Sequence, residues 1–347
     1  MQKVWIIWTW FWKHIAKSFS HAPWSEVIWI SWKNKEKTIA IAKSLSEELD
    51  TKIESFNTWQ ELVESNKINL VCIVSPNALH AEMFFHCLKF NKDILLDKPA
   101  DVNSLWVKKM LKAVNTYEWN VFINHWLRAH PVVKEIIQII NSKSLGKITS
   151  INIAWYLNIF SKDENLWSWY RKDLKWGWQL ISYGIHLIDL ARYLTWNQKL
   201  IDWKIIKGSF LKENLWNKKE DYADSQFSWT FVSESWIHIN IFNTTYCQAL
   251  KDFKIEIFWT DGLITYSDKN WFYKSINNKP FENINYSDIL EHSSLWSSIV
   301  SKSTKYLARD IIDYLEWKEQ SDASHISSLE DAYYNMMYLE ENFKDTL

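Results

Sequence analysis

The sequence predicts an α/β protein with an N-terminal doubly wound domain on a parallel sheet. A C-terminal α+β domain follows, with an open, mainly antiparallel sheet. Three observations carry this reading. Over the first 125 residues, short apolar runs alternate with helix-period segments, the mark of successive βαβ units. Between residues 200 and 276 the chain is instead rich in β-branched and aromatic residues in alternation, as in FVSESWIHINIF, without intervening helices. At 347 residues the chain is long enough for two domains.

The elements follow in order. KVWIIW reads as a strand and Lys13 to Ser20 as a helix. EVIWIS is the second strand, and Asn34 is placed to cap the helix KEKTIAIAKSLSEEL, whose apolar face is Ile39, Ala42 and Leu45. KIESF, the helix WQELVESN and the strand INLVCIV come next. A helix after Pro76, the strand DILLD, a helix from Asn103 to Tyr117 and the strand NVFIN complete residues 1–125, the first domain. Residues 126–347 form the second. Pro131 to Ser142 reads as a helix, Gly146 opens the strand KITSINIAWYLNIF, and Gln179 to Leu194 is a strongly apolar helix. Two helices near 298–316 and 327–343 close the chain, the first with a core stripe of Leu307, Ile311, Ile312 and Leu315.

Composition narrows the function classes. Forty basic and 41 acidic residues leave a net charge of −1, which argues against a nucleic-acid partner. Cys72, Cys87 and Cys247 are too few and too scattered for a disulfide framework, and fit a reducing compartment. No HxxxH or CxxC pairs occur, so no metal is expected; His125 and His130 read as packing or substrate residues. The first residues enter a strand directly, and no apolar run reaches about 18 residues, so a cytoplasmic protein without a membrane partner is expected.

The strangest feature is 25 tryptophans against five glycines. Glycine normally makes up about 7% of a chain. The tryptophans stand where glycine is needed. Replacing them in KVWIIWTWFWKHIA gives KVGIIGTGFGKHIA, a turn that lets a dinucleotide pyrophosphate approach the backbone amides at a helix N-terminus. Trp119, Trp196 and Trp317 each follow a helical segment, where a left-handed glycine cap is expected, and Trp178 lies beside Gly177. The sequence therefore reads as one in which most tryptophans are native glycines, as when UGA encodes glycine.

Several segments carry chemistry. The turn holding Trp8, Trp10, Phe11 and Trp12 is the expected phosphate site. The second strand ends in Ser31, Trp32 and Lys33, with a cation and no carboxylate, which favours a 2′-phosphate and hence NADP over NAD. VCIVSPNALHAEM is followed by KDILLDKPADVNS, then by NHWLRAHP and by KWGWQLISYGIHLIDLARYL. In this order they resemble the Gfo/Idh/MocA oxidoreductase family: Pro76, Asn77 and His80 match its P-N-x-x-H, and Asp97, Lys98 and Pro99 its E-K-P. Arg128, His130 and Pro131 resemble its Arg-containing segment, while Gly184, His186 and Asp189 match its G-x-H-x-x-D helix, with Ser182 where many members carry an acid. KIEIFWTDGLI resembles its C-terminal hairpin, so the likeness covers nearly the whole chain.

The resemblance implies a Rossmann domain and hydride exchange between NADP or NAD and a carbinol carbon of a sugar, inositol or related polyol. It implies catalytic roles for Lys98 and His186. A lysine at a strand's C-terminal end can hold the substrate oxygen, and a histidine suits removal of the hydroxyl proton. Arg128, Ser182 and Asp189 are the expected substrate-side residues. Ser75, Pro76, Asn77, His80, Asp97 and Lys98, with Trp8, Trp10, Phe11, Trp12, Ser31 and Lys33, are those expected at the cofactor. A homo-oligomer through the C-terminal sheet is implied as well. NAD-dependent glycoside cleavage and non-catalytic dinucleotide sensing are the alternatives the same residues leave open.

Overall fold

The computed structural model describes residues 1–7, 12–31, 35–56, 58–157, 180–208, 226–245, 247, 251–269, 271–277, 279–284, 299–317 and 323–341. The chain forms two compact units. One comprises Met1–Lys134 with Ser293–Met337, the other Glu135–His292 with Tyr338–Leu347.

The first unit is built on a six-stranded sheet. Its strands are β1 (Gln2–Ile7), β2 (Ser25–Ser31), β3 (Glu54–Phe56), β4 (Leu70–Ile73), β5 (Asp93–Leu96) and β6 (Val121–Ile123), in the order β3-β2-β1-β4-β5-β6. Every pairing is parallel. Val4 to Ile7 on β1 and all of β4 and β5 are buried, as expected of strands covered on both faces. The crossover helices are α1 (Trp12–Ser20), α2 (Lys35–Leu49), α3 (Trp59–Val63), α4 (His80–Lys89) and α5 (Ser104–Val114). Thr58 and Asn103 cap α3 and α5 by accepting from the amides of Glu61 and Trp106. Strand order reverses between β1 and β4, which opens a crevice at their C-terminal ends.

Late elements complete this unit. Its first stretch ends with a short 3-10 turn (Trp126–Ala129) and the opening residues of α6 (Pro131–Ser142), which continues into the second unit from Glu135. α8 (Ile299–Glu316) packs on α1, where Ser18 Oγ donates to Thr304 Oγ1 at 3.1 Å in a buried contact. Ser327 bridges to Ile123 at the edge of β6, and α9 (Leu329–Glu341) begins just after it.

The second unit carries β7 (Ile148–Tyr156), α7 (Ile185–Leu194) and seven further strands. These are β8 (Leu200–Gly208), β9 (Gln226–Ser233), β10 (His238–Thr244), β11 (Asp252–Trp259), β12 (Gly262–Ser267), β13 (Trp271–Ile276) and β14 (Glu282–Asn283). The sheet runs β14-β13-β12-β11-β7-β10-β9-β8. It is mixed: β7 and β10 pair in parallel, and every other neighbouring pair is antiparallel. Helix α7 is buried along its whole length, with contacts to β7 and β10.

The structure amends several local expectations. Ile39 is exposed while Thr38 is buried beside Ala42 and Leu45, so two of the three expected face residues hold and the buried face of α2 is turned by only about 30° from the one read from its pattern. α3 ends at Val63, and α5 at Val114. The helix expected from Gln179 begins, in its described part, with a π-helical turn at Leu180–Gly184 before becoming α-helical. Asn34, Gln179 and Trp178 lie outside the described residues.

Trp24, Trp196 and Trp236 adopt φ values of 62°, 55° and 63°, the left-handed region that favours glycine. Trp236 occupies the fourth residue of the β9–β10 hairpin. Its amide donates to Ser233 O at 2.8 Å, and the amide of Ser233 donates to Ile237 O at 3.0 Å. A type I turn followed by a left-handed residue is a glycine-favouring hairpin. Trp196 follows the last turn of α7 in a similar way, the next amide returning to Arg192 O at 2.6 Å. Trp119 and Trp317, expected at such caps, are not among the positive-φ residues. The indole N–H groups of Trp5 and Trp229 are buried without a partner, which costs about 1–3 kcal/mol each.

Trp236 is 74% exposed, so little packing offsets its backbone strain. Trp236→Gly is expected to raise the unfolding free energy by roughly 1 kcal/mol over Trp236→Ala, since alanine keeps the offending Cβ. Urea melts of the two variants check this, and an alanine variant as stable as the glycine one refutes it.

Candidate functional site

Two groups of residues expected to carry chemistry take shape, one in each unit. In the first unit, the ends of β4 and β5 lie side by side because the two strands pair in register. Beyond β4, the amide of Val74 donates to Ile7 O at 2.8 Å, which ties the end of β4 to the end of β1. Ser75 and Pro76 follow, and Pro76 O accepts from Leu79 to close the 3-10 turn Asn77–Leu79. Helix α4 then starts at His80. The Ser75 hydroxyl is buried without a partner. A buried polar group without a partner at a strand's C-terminal end suits a ligand hydroxyl or amide, which is how a nucleotide ribose or carboxamide would fit here.

Beyond β5, Asp97, Lys98, Pro99 and Ala100 form the neighbouring turn. Asn124 Nδ2 donates to Asp97 Oδ1 at 2.8 Å, and the amide of Asn124 donates to Leu96 O, so the end of β6 steadies the Asp97 carboxylate. Burial lowers the pKa of Lys98 below the ordinary lysine value, while the Asp97 carboxylate opposes it. An ammonium so placed releases its proton more readily than a surface lysine.

His80 is wholly buried. Its Nε2 lies 2.8 Å from Ser75 O, and its Nδ1 lies 3.1 Å from Pro99 O and 3.2 Å from Ala100 O. The ring has no surface for a cofactor, so its influence on the crevice passes through the two turns it joins. Asp101 stands nearby, with its carboxylate accepting from the Val102 amide at 2.7 Å. Burial raises its pKa, opposed by backbone amides and by His80.

Arg128, expected on the substrate side, lies in the first unit among buried neighbours. It is 1% exposed, and its Nη1 lies 3.1 Å from Asp331 Oδ2 in a buried ion pair. Asp331 also accepts from the amide and hydroxyl of Ser328, while its own amide donates to Ser328 Oγ. This reciprocal cap starts α9, and the guanidinium completes it.

In the second unit, Ser182, His186 and Asp189 share one continuous helical stretch. Ser182 is half-buried within the π-helical turn, whereas His186 and Asp189 are buried in α7. π-turns are rare and frequently mark functional positions. Gly184 makes the packing possible: a Cβ there would lie 2.9 Å from Leu180 Cδ1 and 3.1 Å from Phe227 Cζ. Tyr183 packs edge-on against Trp155 with ring centroids 4.9 Å apart.

Trp8, Trp10, Phe11 and Lys33 lie outside the described residues, as do the side chains of Trp12 and Ser31. Among the described residues, no group of three or more His, Cys, Asp or Glu could hold a metal, and no helix is long and apolar enough to cross a membrane. Asn124 and Asp101 were not singled out from the sequence. Asn124 directly follows the run VFI of β6, so the rule that ligand groups gather at strand C-terminal ends would have found it. Asp101 follows K-P-A without a comparable signal.

Residues 8–125 match the oxidoreductase family with an NAD-binding Rossmann fold, and residues 133–265 match the GFO/IDH/MocA C-terminal domain. Levoglucosan dehydrogenase of Pseudarthrobacter phenanthrenivorans is 30% identical over 143 residues, which are 41% of this chain and 36% of that protein. An uncharacterised oxidoreductase of Synechocystis is 25% identical over 142 residues, 41% of this chain and 38% of that one. The chain thus spans less than two fifths of the length of these curated relatives. A solved levoglucosan dehydrogenase, in complex with NADH and levoglucosan, shares the fold with a TM-score of 0.79 at 18% identity, over 100% of this chain and 98% of that one.

One buried group gives this region a pH signature. Burial, with a smaller contribution from Lys302, pushes the His130 imidazole down to about 3. Because the unfolded chain binds the proton near 6.5, stability is full above that value and declines as the pH falls below it. Between pH 6.5 and 5, His130 removes on the order of 2 kcal/mol, and His130→Leu is expected to abolish that share. Urea unfolding of both proteins at the two pH values measures it, and equal pH slopes refute it.

Proposed function

Since the chain belongs to the GFO/IDH/MocA family of oxidoreductases through both its NAD-binding Rossmann domain and its C-terminal domain, we propose that it is a sugar or polyol dehydrogenase. Its substrate is a carbinol carbon of a sugar, inositol or related polyol, or the matching carbonyl in the reverse direction. The observation that carries this reading is the gathering of Ser75, Asp97 and Lys98 at the ends of β4 and β5, beside the reversal of strand order. The likeness to levoglucosan dehydrogenase supports a carbohydrate substrate.

The nicotinamide, when bound, supplies the hydride acceptor or donor. Lys98 holds the substrate oxygen and stabilises negative charge developing on it. His186 takes the hydroxyl proton, Asp189 one turn further orients the imidazole, and Ser182 hydrogen-bonds a substrate hydroxyl. Residues 1–125 carry the dinucleotide, with Ser75, Pro76, Asn77, Asp97 and Lys98 along it. Ser31 and Lys33 favour NADP over NAD. Residues 126–347 supply the substrate side. The outer face of the second sheet fits a homo-oligomer, since Ile206 is 63% exposed there beside a hydrogen-bonded row of Thr230, Asn240, Asn152 and Glu256. Three unbridged cysteines fit the cytoplasm.

The reading extends to residue identity. Trp8, Trp10 and Trp12 are read as glycine in the protein made by its own organism, with UGA decoded as glycine, because three indoles would fill a phosphate-binding turn. The positive φ of Trp24, Trp196 and Trp236 supports this. Peptide mass spectrometry of the native protein is expected to find glycine at 8, 10 and 12. Tryptophan in those peptides ends the idea.

The protein carrying glycine at 8, 10 and 12 is expected to enhance NADPH or NADH fluorescence on titration; silence with both rejects the proposed function. Lys98→Met and His186→Ala are each expected to lower kcat about 10²- to 10⁴-fold while the dinucleotide still binds. Full activity in either variant removes that residue from its assigned role.

A further inference from the structure

The His80 imidazole meets three backbone carbonyls with two ring nitrogens. Nε2 faces the residue that ends the β4 side, Ser75, while Nδ1 faces Pro99 and Ala100, which follow Lys98 directly. A neutral imidazole owns one N–H, so it donates to one side and turns a lone pair towards a carbonyl on the other. An imidazolium donates to both. The ring therefore lies at the junction of two turns, one bearing the unpartnered Ser75 hydroxyl and the other bearing Lys98.

We propose that His80 is the positioning residue of Lys98: through an N–H at Nδ1 it fixes the Pro99–Ala100 backbone, and thereby the place of the Lys98 ammonium, while its Nε2 side faces Ser75 O. Its role in turnover rests on the dehydrogenase reading above, but its effect on Lys98 belongs to the protein without ligand. The charged groups facing the ring are the Asp97 and Asp101 carboxylates, and both favour its protonated form. Burial outweighs them and holds the pKa below the ordinary histidine value. At neutral pH the ring is then neutral, and which nitrogen carries the hydrogen decides which turn is held. The Nδ1–H tautomer holds the lysine turn, where two carbonyls share the one donor.

The two ring positions can be separated by substitution. The amide of His80→Asn reaches the place of Nδ1, and the longer amide of His80→Gln reaches that of Nε2. The midpoint of Lys98, followed by NMR of ¹³Cε-labelled lysine in the ligand-free protein and assigned with Lys98→Met, reads the environment of the ammonium directly. In the wild type and in His80→Asn it is expected to stay depressed. In His80→Gln it is expected to rise by about one unit towards the ordinary value near 10.4, as water reaches a loosened turn. With dinucleotide and substrate, kcat of His80→Gln is expected to fall about 10- to 100-fold, and that of His80→Asn less than the Gln variant.

Equal Lys98 midpoints in folded His80→Asn and His80→Gln overturn the proposal, and so does the reverse order. A merely structural histidine would lower the melting temperature of both variants without separating their Lys98 titrations. If no dinucleotide binds, the dehydrogenase reading fails while the NMR result still decides the role of His80.

Discussion

The parallel pairing of β1 with β4 is the constraint on which the rest of the molecule depends. Outward from this seam β2 and β3 follow on one side and β5 and β6 on the other, so the connections after β1 and β4 leave in opposite directions from one shared edge. The amide of Val74 donating to Ile7 O extends the seam beyond the strands themselves. The first unit's site candidates whose side chains are described follow the strands on the β4 side of this seam. Ser75 follows from the end of β4, Asp97 and Lys98 from β5, and Asn124 from β6, in three adjacent steps. Parallel order delivers each successive turn to the same edge, and burial of β4 and β5 on both faces prevents any of them from slipping.

Much of this was legible in the chain. The runs INLVCIV and DILLD announce buried parallel strands because only such strands are apolar without alternation. The residues that follow them could be named as site candidates by their place alone. What was not legible is enclosure. His80 and Arg128 are polar residues in conspicuous motifs, yet one is a buried link between backbone turns and the other the buried counter-ion of Asp331, 203 residues away. Type and spacing do not reveal a partner so distant. The parallel pairing of β7 with β10 escaped for a similar reason. An alternating strand looks the same whichever direction its neighbour runs, and only the route of the chain between them decides.

The tryptophans illustrate the reverse case, in which sequence and backbone constrain one another. At Trp236 the hairpin closes through its hydrogen bonds whatever side chain is present, so the backbone adopts the left-handed conformation and the indole is left in solvent. Where the fold is strongly determined by its neighbours, it forms at the expense of local strain. The sites that tolerate the mismatch are exposed turns. The buried indoles of Trp5 and Trp229 have no such escape, and their N–H groups go without partners.

The first unit is discontinuous, and this has a bearing on how the chain comes into being. Arg128 and Lys134 emerge from the ribosome long before Asp331 and Asp310, which neutralise them, and the Ile123 edge waits for Ser327. A nascent chain ending near residue 134 would hold a buried guanidinium with no carboxylate, an arrangement that costs about 3–5 kcal/mol. The half of the molecule that is synthesised first therefore completes these ion pairs only when its late segment, Ser293–Met337, has been made. Until the final helix is released, its crevice-bearing sheet depends on whatever shields those two cations in the meantime.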